Sequence, residues 1–164
     1  MKQPRLFEKK RFVGAGGSWK VIAETADSSV VRQLTPLSCV AATGVMLAQS
    51  RGISMTQEAI IARIGAPASV NALAAWLNEI DAPSHERWYG GFISANDFAV
   101  LSKAGAWGAV LREGSPLGHL VLVKGLDEQG LVKIKDPFDG TFYKMRPAEF
   151  LAHWGGEVVI KWKF

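Results

Sequence analysis

Gln33-Leu34-Thr35-Pro36-Leu37-Ser38-Cys39-Val40-Ala41-Ala42-Thr43 contains the single cysteine of the chain, six residues after a glutamine. The run from Val40 to Ala48 is small and apolar, which predicts the opening of a buried helix toward Gln49. A cysteine in the first turn of a helix feels the positive end of the helix dipole, which favours the thiolate. A glutamine just upstream can aim its side-chain N–H at a developing oxyanion. Downstream, His119 opens the apolar run Leu120-Val121-Leu122-Val123, and Asp136 closes Leu131-Val132-Lys133-Ile134-Lys135. A thiol nucleophile, an imidazole base and a carboxylate to orient it therefore follow one another along the chain.

Each of these residues has a plainer reading. A lone cysteine is commonly a small buried hydrophobe. His119 beside Gly118 reads equally as a turn histidine, and Asp136-Pro137 is a common strand ending, because proline pushes its predecessor out of helical conformation. Gln33, Cys39, His119 and Asp136 together, each at the edge of a suitable element, point to nucleophilic catalysis.

Around these residues the chain divides into an N-terminal lead-in, residues 1–18 with Gly14, Gly16 and Gly17, and one domain over 19–164. Lys20 to Thr25 reads as a short edge strand with Asp27-Ser28-Ser29 as its turn. Ser54 with Gln57 forms a capping-box pattern for a second helix stopped by Gly65. Ser69 caps a third helix with Val70, Leu73, Ala74 and Leu77 on one face. Ser94 and Asp97 cap a shorter one that ends before Gly105. The periodicity then changes. Gly108 to Leu111, Leu120 to Leu126, Leu131 to Lys135 and Thr141 to Met145 read as strands, punctuated by Gly114, Gly118, Gly130 and Gly140. Pro147 opens a last helix carrying His153 and Trp154, and Glu157 to Phe164 supply a final strand. A helical N-terminal half followed by an antiparallel sheet is an α+β layout.

With 164 residues, 48% hydrophobic content and 21% charge, the chain suits one globular domain. One cysteine excludes an intramolecular disulfide framework. Met1-Lys2-Gln3-Pro4-Arg5 is basic without a following apolar stretch, so it does not read as a signal peptide. No run approaches the ~18 apolar residues that span a bilayer. The net charge of +4 comes substantially from the ends. Lys2, Arg5, Lys9, Lys10, Arg11 and Lys20 lie at one end, Lys161 and Lys163 at the other. Solvated termini explain this better than nucleic-acid binding, and an acidic protein partner would exploit the same charge. His85 and His153 with Asp136 or Asp139 match no usual zinc spacing, and no cofactor is called for. Gly14-Ala15-Gly16-Gly17 lacks the Lys-Ser/Thr of a phosphate loop. Trp107 and Trp154 read as core or cleft walls, and His153 is a rival base to His119.

The sequence resembles the papain-clan peptidase domains that process double-glycine leaders in bacteriocin exporters, and related papain-fold toxin domains. The matching residues are Gln33, Cys39 with Ala41-Ala42-Thr43, Gly118-His119-Leu120-Val121, and Asp136-Pro137-Phe138-Asp139-Gly140-Thr141. Met145-Arg146-Pro147-Ala148-Glu149-Phe150 and Trp154-Gly155-Gly156 continue the likeness, which covers roughly residues 30–160. Val40 departs from the glycine that usually follows the nucleophile, and points to a divergent relative. The resemblance implies a papain-like fold, with the Cys39 helix facing a base-bearing sheet across a cleft. It also implies Cys39 as nucleophile, His119 as base, Asp136 as its orienter and Gln33 as oxyanion donor. The expected activity is a cysteine hydrolase acting on protein, either a protease or a glutamine deamidase. A bacterial effector or toxin delivered into a target cell, with a cognate immunity protein as partner, is the leading role. A maturation peptidase for a secreted peptide and a non-catalytic peptide-binding domain are the alternatives. Residues 66–72 and 85–92 are the expected cleft walls.

Overall fold

Helix α1, Cys39–Gln49, spans the residues the sequence predicts, and every residue from Cys39 to Ala48 is buried. A helix that is apolar all round has to run through the core, not over its surface. In this structure, a computed structural model that describes residues 8–13, 17–81, 86–114 and 117–163, α1 lies against two further helices and the sheet. The second helix, α2, covers Gln57–Ile64. The capping box expected from Ser54 and Gln57 does not form. Thr56 is the N-cap, and its Oγ1 accepts from Ala59 N at 3.1 Å. Gln57 is then free for other work: its Oε1 accepts from Leu34 N at 2.9 Å and its Nε2 donates to Arg32 O at 3.0 Å. One side chain of α2 thereby fixes the loop that carries Gln33. The third helix, α3 (Val70–Ile80), starts at Ser69, whose Oγ accepts from Ala72 N, and buries Val70, Leu73, Ala74, Trp76 and Leu77.

Among the described residues, eight strands form one antiparallel sheet: β1 (Glu8–Val13), β2 (Gly17–Ala26), β3 (Glu86–Phe92), β4 (Trp107–Leu111), β5 (His119–Leu126), β6 (Val132–Asp136), β7 (Thr141–Met145) and β8 (Trp154–Lys163). Their spatial order is β1-β2-β7-β6-β5-β4-β8-β3. Two short helices, α4 (Phe98–Leu101) and α5 (Pro147–His153), complete the fold. The α+β class holds, but the helices do not simply precede the sheet, because β1 and β2 come before them and β3 is inserted among them.

Four further differences from the sequence reading concern strands. Glu8–Val13 lies inside the stretch read as a lead-in, yet it pairs with β2 from Glu8↔Ile22 to Val13↔Gly17; residues 1–7 and 14–16 lie outside the described residues. β2 is longer than Lys20–Thr25 and is not an edge, since β7 flanks its other side. Burial of alternating Trp19 and Val21 is what fixes it there. β3, unassigned from sequence, pairs with β8 from Glu86↔Lys163 to Phe92↔Glu157. Its Gly90 is required by close approach, for a Cβ there would overlap the Val70 carbonyl of α3. Finally, Trp154 opens β8 and does not close α5.

Alternate residues of the central strands feed two cores. Val110, Leu120 and Leu122 pack with α1, α2 and α3. Ala109, Leu111, Val121 and Val123 pack with Trp19, Tyr143, Phe98, Phe150 and Trp154 on the other side. The sheet is thus covered on both faces, and its strand ends carry the site.

Candidate active site

β5 and β6 are neighbours with Leu122 opposite Lys135 and Val123 opposite Ile134. Continuing that register sets Asp136 opposite Val121, with His119 two residues further along the same face. The side chains meet: His119 Nε2 lies 2.7 Å from Asp136 Oδ1, and both residues are 0% exposed. Asp136 Oδ1 also accepts from Phe138 N at 2.9 Å, and Oδ2 accepts from the Tyr143 hydroxyl at 2.7 Å. With the carboxylate on Nε2, the neutral imidazole carries its proton there and presents a bare Nδ1. That nitrogen is buried and has no hydrogen-bond partner of regular geometry.

Cys39 occupies the first turn of α1, 7% exposed. Ser38, at the N-cap, does not cap the helix with its side chain; its Oγ instead accepts from Thr35 N and donates to Thr35 O. No acidic residue lies in the first turn, so nothing there opposes a thiolate. Burial pushes the Cys39 thiol up, but hydrogen bonding and charge from His119 outweigh it, and the thiol ends below its ordinary value. His119 responds in the opposite sense. Burial lowers it, while the Asp136 charge and hydrogen bond, with Cys39 behind them, lift it from 6.5 to about 10. Both directions favour a thiolate–imidazolium pair. The thiol acts on His119 without completing a regular bond to Nδ1, a looseness common where such bonds tighten only during reaction.

Gln33 is buried beside the Asp136 turn, with its backbone N–H donating to Pro137 O at 2.7 Å. Its Nε2 donates to Thr35 O at 2.9 Å, and its Oε1 has no hydrogen-bond partner among the described residues. One amide hydrogen is therefore committed to the loop and the second is uncommitted.

A cleft of ≈ 240 Å³ opens beside Cys39. Pro67 to Val70 form one wall and Val110, Gly118 and Leu120 another, with the Arg112–Glu157 ion pair (2.7 Å) at the rim. Of the two expected walls, 66–72 lines this cleft through Pro67 to Val70, whereas residues 86–92 form strand β3 and do not line it. A Cβ at Gly118 would run into the Val110 side chain, so this glycine keeps the backbone next to His119 close-packed.

His153 is not part of this group. His153 Nδ1 bonds Arg112 O at 3.0 Å and Nε2 bonds Glu149 Oε1 at 3.2 Å. With both ring nitrogens committed, it is not poised as a base. His85 lies outside the described residues. Trp107 and Trp154 are core, 5.2 Å apart between ring centroids. Among the described residues, no group of three or more His, Cys, Asp or Glu could hold a metal ion, and no helix is long and apolar enough to cross a membrane.

Sequence reasoning missed Tyr143, Trp19 and Phe138. Tyr143 and Trp19 are 124 residues apart yet hydrogen-bonded, Trp19 Nε1 donating to the Tyr143 hydroxyl at 3.0 Å. Trp19 stacks on His119 with centroids 6.1 Å apart, and Phe138 meets it edge-on at 6.3 Å. For Trp19 and Tyr143 the sequence signal was an aromatic at a buried strand position, which reads as core; Phe138 is half-buried in the turn after β6.

No family model matches the chain. In structure it is similar to the peptidase domain of Streptococcus ComA, a bifunctional ABC transporter involved in a quorum-sensing pathway. That likeness has a TM-score of 0.67 at 14% identity and covers 80% of this chain and 95% of that one. A double-glycine motif protease from an AMS/PCAT transporter, solved with its leader peptide, gives 0.63 at 19% identity over 80% and 89% of the two chains. The fold is that of papain-like peptidase domains. In sequence the chain is 42% identical over 149 residues to "Cysteine protease effector 1" of Escherichia coli O1:K1:H7, which covers 90% of the chain. The chain spans 30% of that relative's length. This papain-like domain thus has a relative named as a protease and an effector, and structural neighbours that are peptidase domains.

Proposed function

We propose that this papain-like domain is a cysteine hydrolase that cleaves an amide bond in a protein or peptide and serves as a bacterial effector. The observation that carries the reading is the fully buried 2.7 Å contact of His119 with Asp136, coupled to a Cys39 thiol of lowered pKa. In the first step the Cys39 thiolate attacks the carbonyl carbon, and the carbonyl π electrons move onto oxygen. The oxyanion is met by the Cys39 backbone N–H and the second Nε2 hydrogen of Gln33; losing one such donor costs about 100- to 1,000-fold. Collapse breaks the C–N bond, and the His119 Nδ1 proton leaves with the amine. A water then gives its proton to Nδ1, attacks the thioester and releases the acid, which restores thiolate and imidazolium. Asp136 keeps the imidazole ring in register throughout and is not itself protonated.

Hydrolysis of a main-chain amide is favoured over glutamine deamidation by the name of the sequence relative, since both begin with the same acyl-thioenzyme. The structural likeness to leader peptidases keeps a maturation peptidase as the second reading. Delivery into a target cell and neutralisation by an immunity protein are parts of the effector reading. Wild type and Cys39→Ala produced in a bacterial host, followed by mass spectrometry of the host proteome, test the proposal. New protein termini only with wild type support it; Gln-to-Glu changes without new termini turn it into a deamidase. Identical proteomes at matched abundance contradict an activity on that host's proteins.

A further inference from the structure

We propose that Tyr143 is a positioning residue for the triad, held in place by Trp19 from the opposite end of the chain; the inference rests on the reading of Cys39, His119 and Asp136 given above. Tyr143 donates to Asp136 Oδ2 at 2.7 Å while His119 takes Oδ1 at 2.7 Å, so the hydroxyl and the imidazole grip the two oxygens of one carboxylate. Tyr143 is 0% exposed, so no bulk water replaces its hydroxyl. A donor on the charged form favours ionisation, and a second anchored oxygen sets the carboxylate plane that Nε2 must meet.

The hydroxyl is itself fixed. Trp19 Nε1 donates to it at 3.0 Å, which directs the Tyr143 hydrogen toward Asp136 and away from the indole. The same indole lies over His119 at 6.1 Å and against His153 at 5.8 Å. Trp19 therefore touches the base directly and steers its carboxylate through Tyr143. It comes from β2, which the sheet places beside β7, the strand of Tyr143. Strand β2 is on this account part of the catalytic assembly, and Trp19 is needed for a competent site as well as for a stable sheet.

The test is alkylation of Cys39 by iodoacetamide as a function of pH, with melting temperature measured in parallel, on the full chain. Cys39 is the only thiol, so labelling reports one site. Tyr143→Phe removes only the hydroxyl. With less hold on the carboxylate, the imidazolium is less favoured and so is the thiolate. The reactivity midpoint is expected to rise by about one pH unit, with about tenfold slower labelling at pH values below the wild-type midpoint. Trp19→Phe keeps a ring over His119 and removes the Nε1 donor, so a smaller rise of the same sign is expected; it serves alone if Tyr143→Phe does not fold. Phe150→Leu, a buried aromatic of the same cluster, is expected to lower the melting temperature and leave the midpoint unchanged. A midpoint in Tyr143→Phe equal to or below that of a low-midpoint wild type overturns the positioning role and leaves the hydrolase reading standing. A wild-type midpoint at the ordinary thiol value overturns the hydrolase reading, and this inference with it.

Discussion

Replacing Cys39 with alanine is expected to change how stability depends on pH, in a way that only a thiolate–imidazolium pair produces. In the unfolded chain His119 titrates near its ordinary value of about 6.5 and Cys39 near about 8.5. Between those values the unfolded state holds one proton on the pair, on sulfur. A native thiolate–imidazolium pair also holds one, on the imidazole, and the directions point to that pair: His119 is lifted to about 10 and Cys39 is lowered. Equal proton counts mean no slope from these two groups. A raised base contributes stability that is complete below its unfolded pKa and is lost as pH rises through the folded one. In wild type that loss begins only above about 8.5, once the unfolded thiol has also ionised. In Cys39→Ala the native state keeps the His119 proton through Asp136, while the unfolded state has none on the pair above about 6.5. The variant should therefore lose up to about 1.4 kcal/mol per pH unit from there, or up to about 2.7 kcal/mol by pH 8.5. Urea denaturation at half-unit pH steps reads the difference between the two proteins, in which all other titrations cancel. Parallel curves over that interval would refute the ion pair at neutral pH.

Asp136→Asn should stay folded, because the amide is isosteric, and should lose activity by about 10³- to 10⁴-fold through the wrong imidazole tautomer; circular dichroism with counts of new termini in a host proteome checks both. Unfolding would mark Asp136 as a structural turn residue. Gln33→Ala should slow turnover by about 100- to 1,000-fold while leaving Cys39 alkylation unchanged, because its amide acts on the oxyanion and not on the thiol. In a bacterial host the wild type should slow growth, Cys39→Ala and His119→Ala should be harmless, and Gln33→Ala should fall between; growth curves at matched abundance decide. Thr56→Ala should lower stability by about 1 kcal/mol through loss of the α2 cap, whereas Ser54→Ala should not, as thermal melts would show.

What the sequence made legible is local. An unbroken apolar run gave α1 its limits, serine and glycine punctuation gave α3 and the end of α2, and branched residues between glycines gave β4 to β7. His119 and Asp136 were visible because each stood at the edge of such a run, and their contact then followed from the pairing of consecutive strands. The remainder depends on partners far away in the chain. Thr56 caps α2 in place of Ser54, and Gln57 bonds Arg32 and Leu34, contacts that no local pattern encodes. β3 reads Glu-Arg-Trp-Tyr-Gly-Gly-Phe, a weak strand signal rescued by pairing with β8. β2 follows a basic, glycine-rich stretch, and the burial of Trp19 against Tyr143 and His119 shows why it lies beside the site.

The most direct test of the account is the pH dependence of Cys39 alkylation in wild type and His119→Ala. The account expects a wild-type midpoint well below the free-thiol value of about 8.5, and a His119→Ala midpoint at or above that value, since burial then outweighs the remaining Leu120 backbone hydrogen bond. A wild-type thiol that is unreactive, or that titrates as it does without His119, would contradict the claim that Cys39 is the nucleophile and His119 its base.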